Sequence, residues 1–564
     1  MTMTSRAQGS ERGPSLRIIC VNDIYTLENL PRLRSLARHH AETLPADHLI
    51  VTLAGDFIAP SILSSLDKGV GMLDCLGAIP ITHAIFGNHE NDVGIAELEK
   101  RVRAFQGTWL NTNMPSFTPA LPTHQILDVT RPGGRTVRIG LLGLLANQHN
   151  LYRPGAFGGC AIEPANECAL RWARRLVHED GCACVIPITH QDLADDHALA
   201  RAQRDPRFPI IIAGHEHEVV IDDVNGSWVI KAGADAANAV FVDLVWPAEA
   251  PPAGTPDLPA VTVKLEPVRD HPEDQAMRAR VDRHRETVRQ LDKATLFRIP
   301  PGSLFSSVGM RMHQTSMGAM LCSRLRDALD ADGCFINAGG IRGEHDYNDR
   351  FTYADLKAEL PFDDEMVVVS LPGRVVRDAV AASRVIPPEG SGGYLQVDDG
   401  MTVHGPGNVV TTIGGLPLDP DRHYRIATVL CLFDGMNSLE PLLQYAREHP
   451  DVVPPRDSGR EIKIVLVDAF SIELWRQLGS FEDIDADHDG VVTRDELKTA
   501  IAMVTTEAPS EIVINDIIRV LDADGDKTIT RAEADAIVAD CRDTPPDHAT
   551  SAAAALPSPA KDGR

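Results

Sequence analysis

Positive charge and long apolar runs are what this sequence lacks most. Against 80 acidic residues stand 54 basic ones, a formal net charge of −26 over 564 residues. Such a field repels nucleic-acid backbones and anionic membranes alike, so neither a nucleic-acid polymer nor a membrane is an expected partner. Any phosphate bound here must be met by local cations or by metal. No apolar run approaches the ~20 residues that cross a bilayer. The opening stretch, MTMTSRAQGSERGPSLRIIC, lacks the apolar core of a secretory signal, so the chain as written is expected in the cytoplasm. Paired cysteine motifs are missing too. The ten cysteines are scattered and none forms a CxxC pair, which points to buried reduced thiols. What is present is an apolar content of 43% and a mean hydropathy of −0.12, enough for several domains with cores of their own.

From about residue 15 to 245, short apolar runs alternate with helical patterns: LRIICVND, HLIVTLAGD, THAIFGNHE, VRIGLLGLL, ACVIPITH and FPIIIAGHEHE. Continuous apolar runs of this length read as strands buried on both faces of a sheet covered by helices. In five of the six the apolar stretch gives way directly to Asp, Asn or His, and ligands gather at the carboxyl edges of such strands. The Pro-rich segment 247–260 reads as a long hairpin excursion before one more strand, VTVKLEPV. The sequence divides into a first α/β domain (15–270), a charged connecting helix (271–295), a second α/β domain (296–470), an acidic helical module (471–543) and a disordered tail (544–564).

The polar strand endings, in order, are Asp23, Asp56 (GD), Asn88, His89 and Asp92 (GNHEND), His190 (TH), and His215 and His217 (GHEH). Mixed Asp, Asn and His donors suit divalent Mn, Fe, Co or Zn. One carboxylate can bridge two such ions, and a pair about 3.5–4 Å apart can activate a hydroxide for in-line displacement at phosphorus. This ordered set resembles the calcineurin-like metallophosphoesterases and, with the later motifs, the 5′-nucleotidase/UDP-sugar hydrolase branch, over roughly residues 15 to 470. The resemblance implies an α/β fold: a β-sandwich flanked by helices, followed by an α/β 5′-nucleotidase C-terminal domain. It also implies that Asp56 bridges two divalent transition ions. Asp23 and His217 then help hold the first ion, and Asn88, His190 and His215 hold the second. His89 becomes the general acid, oriented by Asp92. Where the family usually has a further His ligand, this chain has Tyr25. A phenol of reference pKa ≈ 10 is a poor neutral-pH ligand. Tyr25 then ligates as phenolate, hydrogen-bonds a nearby water, or leaves the first site weak.

The segments RMHQTSMG and NAGGIRG are similar to the family's substrate-binding motifs, which implies Arg311 and Arg342 on phosphate, Asn337 on base or sugar, and close backbone approach at Gly340. GGYLQVDDGM nominates Tyr394 as an aromatic plate against the nucleobase. TVLCLFDGMN keeps Asp434 for ribose hydroxyls, with Phe433 as substitute for a second plate.

DADHDGVVTRDE fits a twelve-residue EF-hand loop through Asp485, Asp487, Asp489, the Val491 carbonyl, Thr493 and Glu496, with Gly490 at the turn. DADGDKTITRAE repeats it with Asp522, Asp524, Asp526, Thr528, Thr530 and Glu533, but has Lys527 where the first loop has Gly. An all-α EF-hand pair holding Ca2+ at one or both loops follows, and such a module offers a surface to a protein partner. The favoured reading is a 5′-nucleotidase that releases phosphate from nucleoside monophosphates. The alternatives are a 2′,3′-cyclic phosphodiesterase or UDP-sugar hydrolase and, outside catalysis, a calcium-sensing nucleotide-binding protein with a weakened metal site.

Overall fold

The computed structural model describes all residues except 1–12, 44–45, 149–150, 153–154, 203–207, 253, 386–389, 406, 457, 506–508, 510 and 540–564. The expected tail (544–564) and Cys541 lie outside the described residues. Among those described, no helix is long and apolar enough to cross a membrane. The chain divides into two compact units between Glu286 and Thr287. That division falls inside the helix Gln275–Leu291, within the segment expected to connect domains.

The first unit is built on twelve strands: β1 (Ser15–Val21), β2 (His48–Leu53), β3 (His83–Ile85), β4 (Thr108–Leu110), β5 (His124–Thr130), β6 (Thr136–Leu145), β7 (Cys184–His190), β8 (Ile210–Gly214), β9 (Val219–Val224), β10 (Ser227–Ala232), β11 (Asn238–Val245) and β12 (Ala260–Pro267). They form two six-stranded sheets, ordered β12-β11-β1-β2-β3-β4 and β5-β6-β7-β8-β10-β9. In the first sheet β1 to β4 are parallel; in the second β6, β7, β8 and β10 are parallel. Strand alternation explains why the runs are continuously apolar. Leu16, Ile18 and Cys20 join Ile139, Leu141, Ile186, Ile188 and Ile212 in the core between the sheets. The intervening Ile19 and Val21 face the helical side of their sheet, packing with Leu33, Leu36 and Phe57. The Pro-rich segment is the excursion between β11 and β12, which pair antiparallel from Asn238↔Pro267 to Val245↔Ala260.

The second unit has a five-stranded mixed sheet in the order Leu395–Val397, Gly333–Asn337, His423–Val429, Glu365–Pro372 and Arg460–Glu461. The expected boundary at 470/471 falls inside its continuous helix Ile462–Gln477. Phe470 stacks on Phe297 with centroids 5.3 Å apart, while Trp475 belongs to a separate core with Phe481, Ile484, Leu497, Ile517 and Ile529. One helix therefore serves both the sheet domain and the helical module. At the module's entry the half-buried Asp468 pairs with Arg460 and with Arg519 of helix Glu511–Leu521, the latter at 2.6 Å.

Candidate metal centre and substrate segments

Five loops at the carboxyl edges of the parallel strands carry the expected ligands. Asp23 follows β1, Asp56 follows β2, Asn88 follows β3, His190 ends β7, and His215 follows β8. Asp23, Asp56 and His190 are wholly buried and each offers one donor atom within 4.8 Å of the others. His190 Nε2 lies 3.1 Å from Asp56 Oδ2 and 3.1 Å from Asn88 Oδ1, while its Nδ1 faces the Ala54 carbonyl at 2.8 Å. His217 Nε2 is 3.4 Å from Asp23 Oδ1, and the His215 backbone N–H donates to Asp23 Oδ2 at 3.0 Å. The Tyr25 hydroxyl sits 2.7 Å from His217 Nε2, 3.2 Å from Asp23 Oδ1 and 3.4 Å from Asp56 Oδ2. The phenol thus occupies the point where both carboxylates and a histidine converge.

The backbone here is strained. Asp23 (φ 52°), Asp56 (φ 52°), His215 (φ 101°) and His217 (φ 58°) are all left-handed although none is glycine. Such residues cost about 1–3 kcal/mol each and persist where surrounding structure fixes them. Two residues that fix them were not singled out in the sequence. Buried Glu90 accepts N–H bonds from Asp56 (3.0 Å), Phe57 (2.8 Å) and Ile58 (3.2 Å), and also from Gly87, tying the GD loop to the GNHE loop. Burial, reinforced by the Asp56 charge, pushes the Glu90 carboxyl up to about 7. Buried Asn22 donates to Asp23 Oδ2 at 2.6 Å and accepts the Ala232 N–H at 2.7 Å. Asp192, two residues past His190, lies 3.1 Å from His215 Nε2 and accepts from Gln148 at 3.0 Å. Its carboxyl is held low chiefly by the hydrogen bond with His215.

These donors fit divalent transition ions. Among the described residues, the ionic partners of buried Asp23 and Asp56 are histidines alone. Burial opposes ionisation of both carboxyls, but the neighbouring histidines hold them below the usual range. Burial likewise opposes a charged His190, yet the two carboxylates outweigh it and raise that imidazole to about 10. Two buried anions against imidazoles form a cation-seeking centre of O and N donors.

His89 stands beside this centre. Its backbone N–H donates to Asp56 Oδ1 at 2.9 Å, and its ring Nδ1 lies 2.7 Å from Asp92 Oδ2. Imidazole and carboxylate three residues apart on the short helical turn Asn88–Val93 form the pair needed to orient a proton donor.

In the second unit the expected substrate segments meet. The Gly339 N–H donates to the Gly392 carbonyl at 2.7 Å, and Ser391 N–H to the Arg311 carbonyl at 3.0 Å. A side chain at Gly393 would meet Asn437 at 2.9 Å, which brings the 433–438 turn against the same strand entry. Asn337 is buried at a strand end, and Gly340 lies against Asp364. Arg342 donates to the Gly339 carbonyl at 2.7 Å and lies 5.3 Å over the Phe362 ring. Asp434 is exposed and pairs with Arg456 at 3.2 Å. Both expected aromatic plates are covered. Tyr394 is 5% exposed with the Arg384 guanidinium 4.9 Å over its ring, and Phe433 is 8% exposed. Neither presents an open face. Phe362, 46% exposed beside Arg342, is the accessible aromatic of this neighbourhood, and no motif announced it.

Both twelve-residue acidic loops lie between helices and are joined by a short antiparallel pair, Val491–Val492 against Ile529–Thr530. In each loop the acidic residues at the first, third and last positions converge: Asp485, Asp487 and Glu496, and Asp522, Asp524 and Glu533. Asp489 accepts the Val491 N–H at 3.0 Å and Asp526 the Thr528 N–H at 2.7 Å. Thr493 and Thr530 hydroxyls donate to the closing glutamates, each at 2.7 Å. Gly490 (φ 92°) and Lys527 (φ 73°) adopt the same left-handed turn, which costs the lysine about 1–2 kcal/mol.

Comparison with known proteins agrees with this organisation. Residues 16–219 match the family model "Calcineurin-like phosphoesterase", and residues 296–442 match "5′-nucleotidase, C-terminal domain". Protein UshA of Yersinia enterocolitica serotype O:8 / biotype 1B is 31% identical over 123 residues, 21% of this chain; the match spans only 22% of that relative's length. The solved NAD nucleotidase of Haemophilus influenzae is 15% identical, with a TM-score of 0.61 over 81% of this chain and 95% of its own. A putative 5′-nucleotidase from Staphylococcus aureus, also 15% identical, gives a TM-score of 0.55 over 81% of this chain and 96% of its own. At these identities the solved structures speak for the fold. These matches, a calcineurin-like phosphoesterase segment followed by a 5′-nucleotidase C-terminal segment, indicate a hydrolase.

Proposed function

We propose that this hydrolase is a metal-dependent phosphohydrolase that releases phosphate from nucleoside 5′-monophosphates. The observation that carries the reading is the buried Asp23–Asp56–His190 cluster with the His89–Asp92 pair attached to it through Asp56. Asp23, Asp56 and His217 would hold one divalent ion, and Asp56, Asn88, His190 and His215 the other. When bound, Mn, Zn, Fe or Co would supply Lewis acidity to water and to the phosphoryl oxygens. His89 does the proton work. With Nδ1–H directed at Asp92, Nε2 carries the proton delivered to the leaving oxygen. Arg311 and Arg342 meet phosphate, Asn337 and the Gly339–Gly340 backbone meet the nucleoside, and exposed Phe362 offers a ring face.

The covered faces of Tyr394 and Phe433 favour a second substrate class, 2′,3′-cyclic phosphodiesters or UDP-sugars, in which a stacked base contributes less. Phosphate release from AMP, set against hydrolysis of 2′,3′-cyclic AMP and UDP-glucose by the same preparation, separates the two readings. The leading one requires AMP to have the highest kcat/KM.

Tyr25 makes the first metal position weak. At pH 7, freeing a phenol of reference pKa ≈ 10 from its proton costs about 4 kcal/mol, against almost nothing for an imidazole. Tyr25→His is therefore expected to tighten binding of one manganese ion by about tenfold or more and leave the other unchanged, as read by calorimetric titration of metal-stripped protein. Equal affinities in both proteins would show that residue 25 takes no part in ligation.

The two acidic loops are read as an EF-hand pair that binds calcium, the first more tightly. Lys527 is the reason for the difference: it is strained and brings positive charge to the ion. Lys527→Gly is expected to tighten the weaker of two calcium-binding events by roughly fivefold or more, in keeping with the ~1–2 kcal/mol released. A calcium titration in which the weaker event stays unchanged would count against the second loop as its source.

A further inference from the structure

Beneath the two histidine loops lies a lysine in an unusual place. Lys231, on β10, is 1% exposed. Its ammonium donates to the Gln191 carbonyl at 2.8 Å and the Gly214 carbonyl at 2.7 Å, and pairs with Asp196 at 3.0 Å and with Glu216. Register explains the first two contacts. The β7–β8 ladder ends at His190↔Gly214, so the Gln191 and Gly214 carbonyls lie at the ladder's end, where strand pairing gives way to loop. β10 pairs with β8 at Lys231↔Ala213, which places the lysine stem under both.

The acidic partners extend the connection. Asp196, wholly buried, accepts from the Thr189 hydroxyl at 2.7 Å and from the Gln191 side chain at 3.0 Å, on either side of His190. Glu216 sits between His215 and His217 and accepts the Leu193 N–H, next to Asp192, the partner of His215 Nε2. One ammonium thus links the residues bordering His190, His215 and His217. A buried cation with this many oxygen partners is costly to remove alone, because each partner would be left unpaired.

We infer that Lys231 is a positioning residue of the metal centre: its ammonium, held by Gln191 O, Gly214 O, Asp196 and Glu216, sets the separation of His190 and His215 required to ligate one ion together. The inference rests on the two-ion reading above.

The test is calorimetric titration of manganese into metal-stripped full-length protein, comparing wild type with Lys231→Met, Lys231→Arg and Glu216→Gln. Circular dichroism and thermal melting of each variant accompany the titrations. Loss of an outer-shell partner weakens a metal site by about 10–100-fold. Lys231→Met is expected to weaken one of the two manganese events by that factor and leave the other within about twofold. Lys231→Arg should recover part of the loss. If Lys231→Met does not fold, Glu216→Gln decides: its side chain is 26% exposed and keeps its volume. It should weaken the same event by a smaller factor. A purely structural lysine would lower the melting temperature and leave both affinities unchanged, and that result in a folded variant overturns the inference. Wild-type protein that binds no manganese would overturn the two-ion reading itself, and this inference with it.

Discussion

Asp56→Asn is expected to reduce phosphate release by more than the ~10–100-fold typical for losing an outer-shell partner, and to abolish binding of both metal ions. The change conserves shape, so the effect isolates charge and donor number. Asp56 is wholly buried; one oxygen accepts the His89 N–H at 2.9 Å and the other lies 3.1 Å from His190 Nε2. An amide has one acceptor oxygen. If that oxygen stays with the His89 N–H, an NH2 group is directed at the side where ions and His190 should sit. Turning the amide over instead breaks the anchor of the general acid. Either way the centre loses the negative charge shared by both ions. Steady-state phosphate release and manganese stoichiometry, measured on the same variant, check this. Activity within tenfold of wild type would exclude Asp56 as a shared ligand.

The second large effect belongs to His89. His89→Ala is expected to lower kcat by ~10²–10⁴, the range for removing a general acid, with KM and manganese binding little changed. The imidazole is tied to Asp92 and lies beside the ligand set, so its loss should leave the metals in place. Leaving-group dependence sharpens the expectation. A nucleoside alkoxide needs a proton as it departs, whereas p-nitrophenolate does not. The defect should therefore be large on AMP and small on p-nitrophenyl phosphate. An equal defect on both would assign His89 to transition-state charge rather than to proton delivery. Asp92→Asn should reproduce the pattern at reduced size, because it disturbs the tautomer and leaves the ring.

The convergence of Asp23, Asp56 and His190 was legible in the sequence because these residues are the polar endings of apolar runs, and parallel strands deliver their carboxyl ends to one edge. The residues that hold those donors were not legible. Glu90 is the fourth letter of GNHE, yet its work is to accept N–H bonds from a different loop, and no local spacing encodes that. Lys231 looks like any lysine within a strand, and its burial appears only once the helix Leu193–Ala202 supplies Asp196. The covering of Tyr394 was not legible for a related reason. A tyrosine in a Gly-rich turn gives no sign of which neighbour covers it, and here Arg384 does so from the end of the preceding helix, Gly373–Ser383. The expected boundary at 470/471 lies inside helix Ile462–Gln477, which is apolar on both sides of that point: Val465, Leu466 and Phe470 are buried before it and Trp475 after it. A continuous apolar helix carries no compositional break where one core ends and the next begins.

The five loop ends are expected to assemble a working two-ion centre despite Tyr25. This is tested most directly by stripping the protein of metal and following phosphate release from AMP as manganese is added. No release is expected without metal, then saturable release that reaches its plateau only with the second equivalent of manganese. Full activity in the stripped protein, or no release at any manganese concentration from folded protein that binds AMP, would contradict it.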